Sequence, residues 1–110
     1  MYARVAMFEG GDPSLIDEQV EEMRRQMATS RSGELLEGAP EQVRTLVETV
    51  VRFVELVDRE SGESVGIAYA ETEDAIQRAH QALNEMSPPE GGPKRTGVKI
   101  YEVVLDESFG

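Results

Sequence analysis

From Tyr2 to Glu9 bulk alternates along the chain, with Ala3, Val5 and Met7 on one side and Tyr2, Arg4, Ala6 and Phe8 on the other. That period of two predicts a strand with substance on both faces. Gly10 and Gly11 end it. Asp12 is a good N-cap, and Pro13 falls at the first helical position, where a missing N–H is no loss, so a helix is expected over 13–30. Its apolar stripe is Ile16, Val20, Met23 and Met27, while Asp17, Glu18, Glu21, Glu22, Arg24 and Arg25 point elsewhere.

The stretch TSRSGELLEGAP reads as a polar connection anchored by Leu35 and Leu36. Pro40 opens a shorter helix with Val43, Leu46 and Val47 on its apolar side. Around Thr49 the period drops from near four to near two. VVRFVELVD is then a strand, DRESGE a turn containing Gly62, and SVGIAYAE the hairpin partner. Thr72 caps the next helix, over 73–87, with Glu73 and Asp74 in the first turn where the helix dipole favours negative charge. Ala75, Ile76, Ala79, Leu83 and Met86 form its buried stripe. Ser87-Pro88-Pro89 stops that helix, EGGPKRTG reads as a loop, and VKIYEVVL, 98–105, is the last strand before a short acidic tail.

In order these elements are β, α, short α, β, β, α, β. Two β-α-β units around a central hairpin predict one ferredoxin-like domain over 1–110, a four-stranded antiparallel sheet with helices on one face. Such a sheet should be polar on its uncovered face. Here the second faces carry Phe8, Phe53, Val57, Tyr101 and Val103, depending on register, which is too apolar for water. A second copy of the same sheet is the simplest cover, so a homodimer is expected.

Composition sharpens the exclusions. With 22 acidic residues against 11 basic ones the net charge is −11. Phosphate-rich partners are repelled by that balance, so neither nucleic acid nor an anionic membrane is an expected partner. There is no cysteine, which removes disulfides, thiolate metal sites and Cys nucleophiles. The opening residues lack the apolar run of a signal peptide, and no stretch reaches the roughly 18 apolar residues of a membrane span. A cytoplasmic, soluble chain is the expectation. No P-loop, GxGxxG, HExxH or GxSxG occurs, so no cofactor or metal site is expected.

The block VELVDRESGESVGIAYAETEDAIQRAHQALNEM, from Val54 to Met86, joins a hairpin with an acidic glycine turn to a capped helix with an alanine-rich face. Together with the closing KIYEVV, it resembles the dimeric α+β barrel superfamily and, within it, the antibiotic biosynthesis monooxygenase-like domains. The resemblance covers the whole chain through order and spacing rather than an invariant motif. It implies a homodimer whose sheets face each other, with a pocket between helices and sheet in each subunit. It also implies cofactor-independent oxidation of a small aromatic or quinol-like substrate, or isomerisation, or a non-catalytic role in binding a small apolar or aromatic ligand. Members often carry Trp where this chain has Tyr69-Ala70, and the haem-degrading branch uses Asn, Trp and His. This chain has no Trp and no Asn in its first strand, which speaks against haem degradation.

Five residues are candidates for the chemistry. His80, the only histidine, borders the buried stripe of its helix, where it is either a boundary residue, half exposed or bonded to a carboxylate, or a general acid or base near pH 7. Tyr69 shares the catalytic assignment, as a phenol able to orient a substrate oxygen. Tyr101, Arg52 and Phe53 are the substrate-binding candidates, with Arg52 able to face a developing oxyanion. Packing is the alternative duty of each tyrosine. Arg4, Arg52, Glu55 and Glu102 interrupt apolar strands and are expected to form ion pairs at the rim of the sheet interface.

Overall fold

The computed structural model describes residues 1–31, 40–86 and 92–110, with side chains for all of these except 29–31. Its elements are β1 (Tyr2–Glu9), a 3-10 turn (Pro13–Leu15), α1 (Ile16–Arg31), α2 (Glu41–Thr49), β2 (Arg52–Val57), β3 (Ser64–Ala70), α3 (Glu73–Glu85) and β4 (Lys94–Glu102). The strands make one sheet in the order β2-β3-β1-β4, antiparallel throughout. This is an α+β fold of the ferredoxin-like kind that the order of elements predicts.

Local chemistry explains the element ends. The Asp12 carboxylate accepts from the Ser14 backbone N–H at 2.9 Å and from its hydroxyl at 2.7 Å. Pro13 then starts a 3-10 turn, and the α-helix proper begins only at Ile16. The Thr72 hydroxyl accepts from the Ala75 N–H at 3.1 Å, capping α3. In the β2–β3 hairpin the Asp58 carboxylate accepts from the Glu60 and Ser61 N–H groups at 2.9 and 3.3 Å, which holds it below the usual carboxylate range. Gly62 closes the turn at φ +80°, with the Gly11 backbone packed so close that a side chain at 62 has no room.

Three boundaries, at both ends of β4 and the end of α3, differ from expectation. β4 begins at Lys94 rather than Val98, because Lys94 and Arg95 pair with Glu9 and Phe8 on an edge strand, where polar side chains cost nothing. It ends at Glu102, after which Val104 and Leu105 leave the sheet and are exposed. α3 ends at Glu85, so Met86 lies past the helix and is exposed instead of completing the stripe. The Leu35-Leu36 anchor, the Ser87-Pro88-Pro89 stop and the first two residues of the 90–97 loop lie outside the described residues.

α3 lies against β1 and β3, α2 packs beside α3, and α1 touches α2. Small residues make the close approach possible: Ala6 and Ala68 on the sheet meet a layer that holds Ile76, Ala79 and Ala82, and all five are buried. Ile76 is the one large side chain among them that is fully sealed. On α1 only Ile16 is buried, while Val20, Met23 and Met27 are half-buried.

Since Arg4 bonds to α3, and cross-strand partners share a face, the register sorts the whole sheet. Phe53, Ala68, Arg4 and Ile100 form one helix-side row, and Glu55, Gly66, Ala6 and Val98 the next. The opposite face carries rows of Arg52, Tyr69, Ala3 and Tyr101, then Val54, Ile67, Val5 and Lys99, then Leu56, Val65, Met7 and Gly97. Phe8, Phe53 and Val57 therefore lie under the helices, and the apolar character of the open face comes from other residues. Leu56 and Tyr101 there are 51% and 47% exposed.

Candidate functional site

The sheet divides the sequence-predicted site residues. Tyr69, Tyr101 and Arg52 share one row of the open face, with the Arg52 guanidinium 5.7 Å from the centre of the Tyr69 ring. Lys99 lies similarly over Tyr101, at 5.3 Å. His80 and Phe53 are on the helix side. Within one chain, His80 and Tyr69 do not converge on a common atom, because strand alternation sends Arg4, the partner of His80, and Tyr69 to opposite faces.

What the structure does bring together is a polar cluster at the C-terminal end of α3. The Arg4 Nε–H donates to His80 Nδ1 at 3.0 Å, and Arg4 Nη2 donates to Asn84 Oδ1 at 3.1 Å. Arg95, on the neighbouring strand, donates from Nη1 to the same Asn84 oxygen at 2.7 Å. Asn84 Nδ2 faces His80 Nε2 at 3.1 Å. His80 and Asn84 are one helical turn apart on α3, and Arg4 rises from the central strand beneath them.

Arg95 reaches the cluster through a bulge. The register between β1 and β4 shifts between Met7 and Phe8, so that Gly97 opposes Met7 but Arg95, not Thr96, opposes Phe8. In an unshifted register Arg95 would pair with Glu9 and point to the open face. With the bulge, Arg95 shares the helix side with Arg4.

The bonding fixes the chemistry of His80. A guanidinium only donates, so Nδ1 must be the acceptor and the neutral ring carries its proton on Nε2. Protonating the ring would set two N–H groups against each other. Burial, then the positive charges of Arg4 and Arg95, hold the His80 pKa below its ordinary value. Toward any ligand, His80 is thus a neutral hydrogen-bond donor, with its one lone pair already used. His80 is the half-exposed boundary residue that its place on the helix predicts, but its partner is a guanidinium rather than a carboxylate, and toward a ligand the ring offers a donor rather than a base.

Arg4 is 5% exposed, and burial is the main cause of its lowered pKa, followed by repulsion from Arg95. Among the described residues neither guanidinium has a carboxylate within ion-pair distance, whereas Arg24, Arg25, Arg59 and Arg78 each have one. Within one chain, none of Arg4, Arg52, Glu55 and Glu102 has an ion pair among the described residues. Arg4 and Glu55 sit under the helices rather than at a rim, and Arg52 stacks on a ring.

Glu55 is a second finding: the sequence marks it as a charge in an apolar strand but not its burial on the helix side. It is half-buried on the helix side, leaning over Gly66, where an added Cβ would lie 3.2 Å from Oε2 and 3.4 Å from the Phe53 ring. Burial pushes its pKa up to about 7, against a smaller opposing effect of the Ser64 hydroxyl. Asn84 and Arg95 were unmarked in the sequence. Asn84 is legible only as a residue four beyond His80, and Arg95 had been placed in a loop.

Space is limited beneath α3, since Ile76, Ala79 and Ala68 seal its middle against the sheet. A depression of about 480 Å³ on α1, lined by Asp17, Glu18, Glu21, Glu22 and Arg25, is a solvated acidic surface away from the cluster. The described residues include no group of three or more His, Asp or Glu arranged to hold a metal ion. No described helix is long and apolar enough to cross a membrane. No protein-family model matches the chain, and no curated protein matches it.

Proposed function

We propose that the chain is a homodimeric small-ligand-binding domain of the dimeric α+β barrel kind, with its site at the Arg4–His80–Asn84–Arg95 cluster. The observation that carries this reading is the buried guanidinium of Arg4, held by His80 and Asn84 with no carboxylate at ion-pair distance among the described residues. A charge kept out of water in that way is costly as pure architecture. Support for the dimer is the open face, where Val5, Met7, Val54, Leu56, Val65 and Ile67 form a continuous apolar surface.

Cofactor-independent oxidation of a small aromatic or quinol-like substrate is the second reading, favoured by the same donors. In that chemistry the deprotonated substrate gives an electron to dioxygen, and donors aimed at its oxygen stabilise the anion. Because the His80 lone pair is engaged by Arg4, the substrate arrives already ionised. Isomerisation needs a positioned base and is the least supported of the three. Oxygen uptake with a panel of hydroquinones, compared between the wild type and His80→Ala, tests the choice. Uptake abolished by the substitution establishes the oxygenase, and binding of the same compounds without uptake leaves the binding domain.

A further inference from the structure

The cluster is rich in donors and poor in acceptors. Arg4 contributes a guanidinium whose Nη1 makes no bond among the described residues, Arg95 contributes a second, and His80 Nε2–H and the Asn84 amide N–H groups add neutral donors. Among the described residues the sole side-chain acceptor bonded in the cluster besides His80 Nδ1 is Asn84 Oδ1, which serves both guanidiniums. As that oxygen fixes the amide, Asn84 Nδ2 and the protonated His80 Nε2 present two donors to each other across 3.1 Å. Turning the amide over would remove that conflict and set its N–H groups against two cations, which is worse. The nearest carboxylate on α3, Glu85, is turned to Gln42 and Gln81, whose amides donate to it at 3.4 and 3.5 Å. In a chain with two acidic residues for each basic one, two converging guanidiniums that share a neutral oxygen are the exception.

A purely architectural duty does not account for this. Cations near a helix C-terminus offset its dipole, and α3 has no basic residue of its own in the last turn. One exposed cation, Arg95, would serve that end without burying Arg4.

We propose that Arg4, Arg95, Asn84 and His80 form a binding site for the carboxylate group of a small organic acid. The two guanidiniums offer paired N–H groups that match the two oxygens of a carboxylate. His80 Nε2–H and Asn84 Nδ2 donate to an oxygen placed between them, which ends the donor-to-donor contact. The proposal rests on the cluster being the ligand site, as in the preceding section, and adds the charge and shape of what it holds.

The single histidine makes the test direct, because the carbon-bound protons of its ring give the one set of histidine signals in the NMR spectrum. Sodium benzoate, inorganic phosphate, sodium chloride at matched ionic strength, and neutral benzyl alcohol are titrated separately into the full chain. The expected result is a saturable shift of the His80 signal with benzoate, weakened about tenfold or more in Arg95→Ala and unchanged in Arg78→Ala, whose guanidinium already pairs with Glu48 at 3.2 Å. Arg95 is exposed, so its variant tests the site without endangering the fold. An equal response to chloride, no weakening in Arg95→Ala, or phosphate displacing benzoate as the tighter ligand overturns the carboxylate assignment. A shift with benzyl alcohol alone overturns it too, while leaving the ligand site standing. Silence of the His80 signal to every probe overturns both.

Discussion

The two faces of the sheet reverse the usual assignment of polarity. The side that faces the helices holds a buried arginine and a half-buried glutamate, and the side that faces away holds valine, leucine, isoleucine, methionine and tyrosine. On the helix side each polar group has a specific reason to be there: Arg4 is bonded to His80 and Asn84, and Glu55 has a glycine opposite it that leaves room. On the open side the two cations lie over aromatic rings rather than in bonded networks. The contrast teaches that the interior side is specified by hydrogen bonds and the exterior side by bare apolar area. The first is bonded within the chain, and the second is left partly exposed by it.

The comparison breaks most readily at the open face. Ile67→Lys places a charge in the middle of it, and an unpaired charge at a packed interface costs several kcal/mol. Light scattering should then report a mass near 12.2 kDa in place of about twice that value. A wild type that already runs as a monomer at tens of micromolar would remove the reason given for the apolar face.

Next in size is the helix side. Arg4→Met keeps the volume but strips His80 Nδ1 and Asn84 Oδ1 of a donor, and should cost about 2–3 kcal/mol in urea unfolding. The His80 pKa should rise, because the positive charge that depresses it is gone. Arg52→Met, made on the open face, should change the unfolding of the chain by less than about 1 kcal/mol. Equal losses for the two arginines would erase the distinction between the faces.

Glu55 sharpens the comparison through pH. Its carboxyl titrates near 4.5 when unfolded and at about 7 when folded, so between those values the native state holds the extra proton. Its contribution therefore falls as pH rises through that window and is fully lost above about 7. Glu55→Gln should flatten this slope and stabilise the chain at pH 8 by on the order of 1–3 kcal/mol. His80 acts with the opposite sign: its folded pKa is depressed, so stability is lost as pH falls through the unfolded histidine range. Unfolding of His80→Ala and Glu55→Gln measured across pH 5–8 separates the two slopes. A Glu55→Gln profile parallel to that of the wild type would mean the carboxyl is solvated after all.

The smallest effect belongs to neither face. Arg59 and Asp17 pair at 2.9 Å between the hairpin turn and α1, both well exposed. Arg59→Ala should unfold thermally at a temperature indistinguishable from that of the wild type, because solvent screens an exposed pair. A measurable loss would make this contact, rather than its packing beside α2, the main fastening of α1.

Much of this architecture was legible because it depends on short-range chemistry. The caps at Asp12 and Thr72, the Asp58–Gly62 turn and the change of period near Thr49 all act within a few residues. The site was legible only in part. His80 was marked by being unique, but nothing near it in sequence names Arg4, which is 76 positions away, or the bonding that leaves it as a donor. Tyr69 and Tyr101 were grouped with His80 as functional residues, and alternation in the strands sets them on the other face.

The sequence by itself determined the element order and hence an α+β chain with a four-stranded antiparallel sheet, since periodicity, caps and turns are written in neighbouring residues. Tertiary structure alone decided which side of the sheet each strand residue takes and which residues meet. A one-residue bulge opposite Phe8 carries Arg95 from one face to the other. Register is a property of paired strands, and no single strand contains it.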